Sequence, residues 1–141
     1  MKNVLLLLTV FLTVNLNAAV IKDTASVFFD TDKHDLQNEG MEALASVLDN
    51  IPIDADASWV IHGHTDNRGS LDYNHSLSRR RATEVRTYLI SAGVDSSLIH
   101  MDYYGETLPV APNTAMSNLK QNRRVELSVQ WYQFETLEEM E

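Results

Sequence analysis

Between Trp59 and Leu89 the spacing of apolar residues changes period, and the change restricts this part of the chain to a strand running directly into a helix. Trp59-Val60-Ile61 is a continuous apolar run of the kind that fills a buried central strand, here taken as Trp59 to His62. A polar turn containing Gly63 and Gly69 follows. Ala82, Val85 and Leu89 then recur at three- and four-residue steps, one face of a helix. Asp66 therefore sits just past a strand end, and Arg81 in the helix beyond it. The chain between them can hold a loop and the first helical turns, which makes them opposite walls of one small polar site. A carboxylate beside a guanidinium suits a ligand that carries both an ammonium and a carboxylate, such as an amino-acid head group.

The same periodicities place the other elements. Ala25 to Phe29 is a first strand, and Asp30 to Asp35 a polar loop leaving it. Met41, Leu44, Ala45 and Leu48 mark a helix. It ends at Asn50-Ile51-Pro52, because the residue before proline disfavours the helical region. Ile53 to Ala57 connects to the central strand. Ala92-Gly93 stops the second helix, glycine being the usual residue past a helix end. Leu98 to Tyr104 alternates as a third strand. Gly105 to Thr114 holds Pro109 and Pro112 and is a loop, and Ala115 to Gln121 is a short helix. Val125, Leu127, Val129 and Trp131 alternate with Glu126, Ser128 and Gln130, the clearest strand in the chain. Glu135 to Glu141 is an acidic tail expected to be frayed and solvated. The order β-α-β-α-β-(α)-β predicts an α+β fold, a sheet with helices on one side.

Composition narrows the chemistry. With 44% hydrophobic residues in 141, one domain can bury a proper core without staples. There is no cysteine, so neither a disulfide framework nor a cysteine metal site nor an acylated-cysteine anchor is available. A net charge of −9 argues against nucleic acid as a partner. Met1 to Ala19 reads as a secretory signal peptide. Lys2 opens it, Val4 to Val14 is its apolar core, and Asn17-Ala18-Ala19 offers small residues for cleavage. The apolar core is short for a membrane span.

The central stretch also resembles a known family. Gly63, His64, Thr65, Asp66, Gly69, Tyr73, Asn74, Leu77, Ser78, Arg81 and Ala82 fall on the pattern of the OmpA C-terminal-like domain. Gly105-Glu106, Pro109, Asn113 and Asn122-Arg123-Arg124-Val125-Glu126 match its later part. The resemblance runs from about Ser26 to Trp131, in a domain set at residues 20–134. It implies a mixed four-stranded sheet of spatial order 1-4-2-3 with the last strand antiparallel. It implies non-covalent binding of peptidoglycan in the periplasm, by the stem peptide that contains diaminopimelate, with no cofactor. That binding would anchor the chain, or an outer-membrane or other envelope protein held by it, to the cell wall. On the family's pattern Asp66 receives the distal ammonium of diaminopimelate and Arg81 the carboxylate beside it. Asp32, Asn74, Thr65 and Arg124 are further candidate contacts, with loop geometry as the alternative use of Thr65 and strand fixing that of Arg124.

A different function is also spelled in the chain. His62-Gly63-His64-Thr65-Asp66 reads H-x-H-x-D, as in zinc-dependent hydrolases of the metallo-β-lactamase type. Asn67 stands where the closing histidine of that motif belongs, and the chain is short for that fold. Ser70, Ser76 and Ser78 lack the setting of an activated nucleophile, and no acid–base pair is evident, so the chain reads as a binding module with no catalytic residues.

Overall fold

The computed structural model describes residues 18–52 and 54–134; residues 1–17, which hold all but the last two residues of the expected signal peptide, Ile53 and the acidic tail lie outside them. The elements are β1 (Ala18–Phe28), α1 (Asn38–Asp49), β2 (Ser58–Gly63), α2 (Leu71–Ser91), β3 (Ile99–Tyr103), α3 (Met116–Asn122) and β4 (Arg124–Phe134). A single 3-10 turn, Ser96–Leu98, leads into β3. The strands lie in the order β1-β4-β2-β3. β4 is antiparallel to both β1 and β2, whereas β2 and β3 are parallel. This is the order and the mixed sheet that the family resemblance implied.

β4 is central, and its alternation organises the core. Val125, Leu127, Val129 and Trp131 are buried toward the helices, with Trp59 and Ile61 of β2 beside them. Leu44 and Val47 of α1 and Ala82, Val85 and Leu89 of α2 cover that face. Ser128 and Gln130 point the other way and are exposed.

β1 differs from the expected Ala25 to Phe29: it starts at Ala18 and stops one residue before Phe29. Its first half has no clean alternation to read. Pairing creates it, since β4 runs on to Phe134 and offers Ala18 to Lys22 a continuous antiparallel partner.

Two glycines set the site end of the sheet. A Cβ on Gly63 would lie 2.2 Å from the Ser78 carbonyl oxygen, so only glycine lets the end of β2 touch α2 here. Gly105 has φ +57 and rests on the first turn of α2, where a Cβ would meet the His75 nitrogen at 3.0 Å. Its N–H donates to Ser78 Oγ at 2.9 Å and its carbonyl accepts from the Thr65 N–H at 2.8 Å. The turn after β2, the turn after β3 and the start of α2 are thereby tied together.

Candidate functional site

The loops at the C-terminal ends of β1 and β2 meet the start of α2 around one carboxylate. Ser70 caps α2 by accepting the Tyr73 N–H, which fixes where the helix begins after the turn. Within that turn Asp66 Oδ1 accepts the Arg68 N–H at 3.0 Å, the local bond expected of a turn aspartate. Asp66 Oδ2 takes Nη2 of Arg68 at 2.7 Å, Nε of Arg68 at 3.2 Å and Nη1 of Arg123 at 3.3 Å. Burial pushes the Asp66 carboxyl up, but hydrogen bonds from Arg68 and then Arg123 outweigh it and hold the group below its usual value. Arg68 in turn is raised by the bond it makes to Asp66.

Arg81 does not stand open as the far wall of the site, as the spacing suggested. It is 0% exposed. Nε donates to the Lys33 carbonyl at 2.9 Å, Nη1 to His64 at 3.1 Å and Nη2 to Asp30 at 3.0 Å. Its guanidinium carbon also lies 5.2 Å from the Phe29 ring centroid. Burial, then the neighbouring Arg123, lowers its pKa to about 10, opposed by Asp66, Tyr73 and Asp32. It remains a cation at neutral pH and ties the loop after β1 to the turn after β2 through those carbonyls. A guanidinium has five N–H donors, so two remain after the three carbonyls.

The other expected residues divide. Asp32 belongs to the cluster: it has φ +56, a conformation uncommon outside glycine, and its Oδ1 accepts from the Tyr73 hydroxyl at 3.3 Å. Thr65 is buried in the turn, with no partner on its hydroxyl. Asn74 is buried and donates to Glu106, which joins α2 to the turn after β3. Arg124 is not brought to Asp66. It donates to Glu126 at 2.8 Å and to the Leu108 carbonyl at 3.3 Å, away from the carboxylate. Its neighbour Arg123 makes the contact instead, held by the Phe29 carbonyl at 2.8 Å.

Arg68 and Arg123 are thus the residues that the sequence reading missed. A signal for Arg123 was available. It is the first arginine of the Asn122-Arg123-Arg124 run that the family pattern also carries, next to the arginine that was considered. For Arg68 the signal was its place two residues after a turn aspartate.

The H-x-H-x-D spelling does not converge on a metal site. Asp66 is committed to two guanidiniums. His64 stacks on Tyr104 with centroids 5.5 Å apart, and His62 meets the same ring edge-on at 5.3 Å. Among the described residues no three His, Asp or Glu side chains are grouped so as to hold a metal ion.

His64 is instead a buried neutral histidine. Burial, then the Arg124 charge, lowers its pKa to about 4 against the partial opposition of Glu126. Between about pH 6.5 and 4 the unfolded chain binds a proton there that the folded chain refuses. Stability is therefore complete above that window and falls through it on acidification, by about 3 kcal/mol in all. Urea midpoints at pH 7 and pH 4.5 should show a drop that shrinks in His64→Gln. An equal drop in both proteins would assign it to other groups.

The OmpA family model matches residues 28–123. The chain is 37% identical to outer membrane protein A of Bordetella avium over 79% of this chain and 58% of that one. It is 36% identical to the peptidoglycan-associated lipoprotein of Pseudomonas putida over 77% of this chain and 65% of that one. It thus spans about three fifths of the length of these curated relatives. The crystal structure of the peptidoglycan-associated lipoprotein from Burkholderia pseudomallei superposes with a TM-score of 0.64 at 33% identity, covering 77% of this chain and 89% of that one.

Proposed function

This chain belongs to the OmpA family, and on that footing we propose that its domain binds peptidoglycan non-covalently and anchors the chain, or an envelope protein bound to it, to the cell wall. The reading goes further to the ligand's head group and to the place. The diaminopimelate of the stem peptide sets its distal ammonium on Asp66, and its carboxylate lies over the buried charge of Arg81. Asp32, Tyr73 and Thr31 form the rim, while Asn74 and Thr65 hold the turns in place. The chain works in the periplasm after its signal segment is removed.

The observation that supports this most is the state of Asp66. It is a carboxylate in the turn after β2 whose pKa is lowered by hydrogen bonds from Arg68 and Arg123 despite its burial, with Arg123 as its buried partner and Arg68 as its exposed one. Such a group accepts an ammonium strongly, because charge-assisted bonds are about twice as strong as neutral ones. Names among its relatives, such as peptidoglycan-associated lipoprotein, point the same way.

Intact sacculi from cells making the full chain should retain it, in a form whose mass begins near Ala19 or Val20. A chain that washes off the sacculi freely, or one that keeps Met1 in a membrane fraction, would contradict binding or location respectively.

A further inference from the structure

The acceptor oxygen that the proposed ligand needs is already taken. Arg68 covers Asp66 Oδ2 with two N–H groups, and the same Nη2 reaches Thr31 Oγ1 at 2.9 Å. The two arginines on this oxygen differ in access. The Arg68 side chain is 40% exposed, that of Arg123 10%, and the Asp66 side chain between them 6%. Arg68 is thus the outer cover and Arg123 the inner support.

We propose that Arg68 is a displaceable counter-ion that occupies the place of the ligand's ammonium and must swing aside for binding. The inference rests on reading Asp66 as the ammonium site. Displacement is feasible because it leaves no buried charge unpaired: Asp66 keeps the Arg123 guanidinium and the Arg68 backbone N–H. Arg123 cannot play the same part, because its Nε is held by the Phe29 carbonyl inside the protein. Arg68 therefore sets a threshold. A neutral or singly hydrogen-bonding group does not replace two charge-assisted bonds, whereas an ammonium does.

The test is calorimetric titration of the full chain with the soluble tripeptide L-Ala-γ-D-Glu-meso-diaminopimelate. Removing an ion pair with one exposed partner should tighten binding by about fivefold in Arg68→Ala. Arg68→Gln, which keeps a polar side chain but no charge, should also tighten it. The combination Arg68→Ala with Asp66→Asn should bring no gain. Circular dichroism melting checks that the single variants fold like the parent. Unchanged or weaker binding by both Arg68 variants, with the parent binding normally, overturns the inference and leaves the proposed function standing. Failure of both the parent and the Arg68 variants to bind overturns the functional reading and the inference with it.

Discussion

Asp66→Asn is expected to weaken retention on sacculi by roughly ten- to a hundredfold, the loss of one charged hydrogen bond to the ligand. Asparagine is the variant to use because it keeps the shape of the turn. Both substitutions end the ion pair with the nearly buried Arg123, but alanine also leaves Arg123 and the Arg68 N–H with no acceptor, whereas asparagine keeps an amide oxygen in the turn, so less stability loss is mixed into the binding loss. Co-sedimentation with sacculi over a range of protein concentrations measures the effect. Near-parental retention by a folded Asp66→Asn protein would remove Asp66 from the site.

Arg81→Ala is expected to be the most destabilising single change, by about 3–5 kcal/mol. The cause lies in packing and hydrogen bonding together. The substitution empties a site that is 0% exposed and strips a donor from each of the Asp30, Lys33 and His64 carbonyls. Those carbonyls shape the loop after β1 and the turn after β2, so the site's walls loosen with the fold. Arg81→Lys should restore only part of the loss, since an ammonium cannot span three carbonyls arranged around a planar fork. Arg79 and Arg80 are exposed on the same helix and serve as controls expected to change stability by less than about 1 kcal/mol. Urea unfolding measures all four. A loss in Arg81→Ala no larger than in Arg79→Ala would show that the three carbonyl bonds do not organise the loops.

These two residues also show how far the sequence can be read. The strand–turn–helix unit around Gly63 to Ala82 was legible because the apolar period changes across it. It correctly put Asp66 at a strand end and Arg81 in α2. Which way Arg81 faces was less open than it looked. Its position one residue before Ala82, four after Leu77 and four before Val85 puts it on the apolar face of α2. The pairing of adjacent arginines was harder. Arg123 and Arg124 are identical in chemistry, but Arg123 closes α3 just before β4 and is held by the Phe29 carbonyl toward Asp66, whereas Arg124 opens β4 on the side of Glu126. The start of β1 was not legible at all, because its partner residues lie at the far end of the chain in β4. The cover over Asp66 was hidden for a similar reason. The local spacing of Asp66 and Arg68 hinted at their pairing, but the bond that Arg68 donates to Thr31 of another loop, which fixes its side chain over the carboxylate, is encoded by no local pattern.

The central claim is that the cluster around Asp66 takes a head group with both an ammonium and a carboxylate. Calorimetric titration of the parent protein with two stem tripeptides, one ending in meso-diaminopimelate and one in lysine, tests it most directly. Both ligands offer the side-chain ammonium, and only the first adds the distal carboxylate. The account predicts tighter binding of the diaminopimelate peptide by roughly tenfold or more, the worth of one charged hydrogen bond. Equal affinity for the two peptides would contradict it.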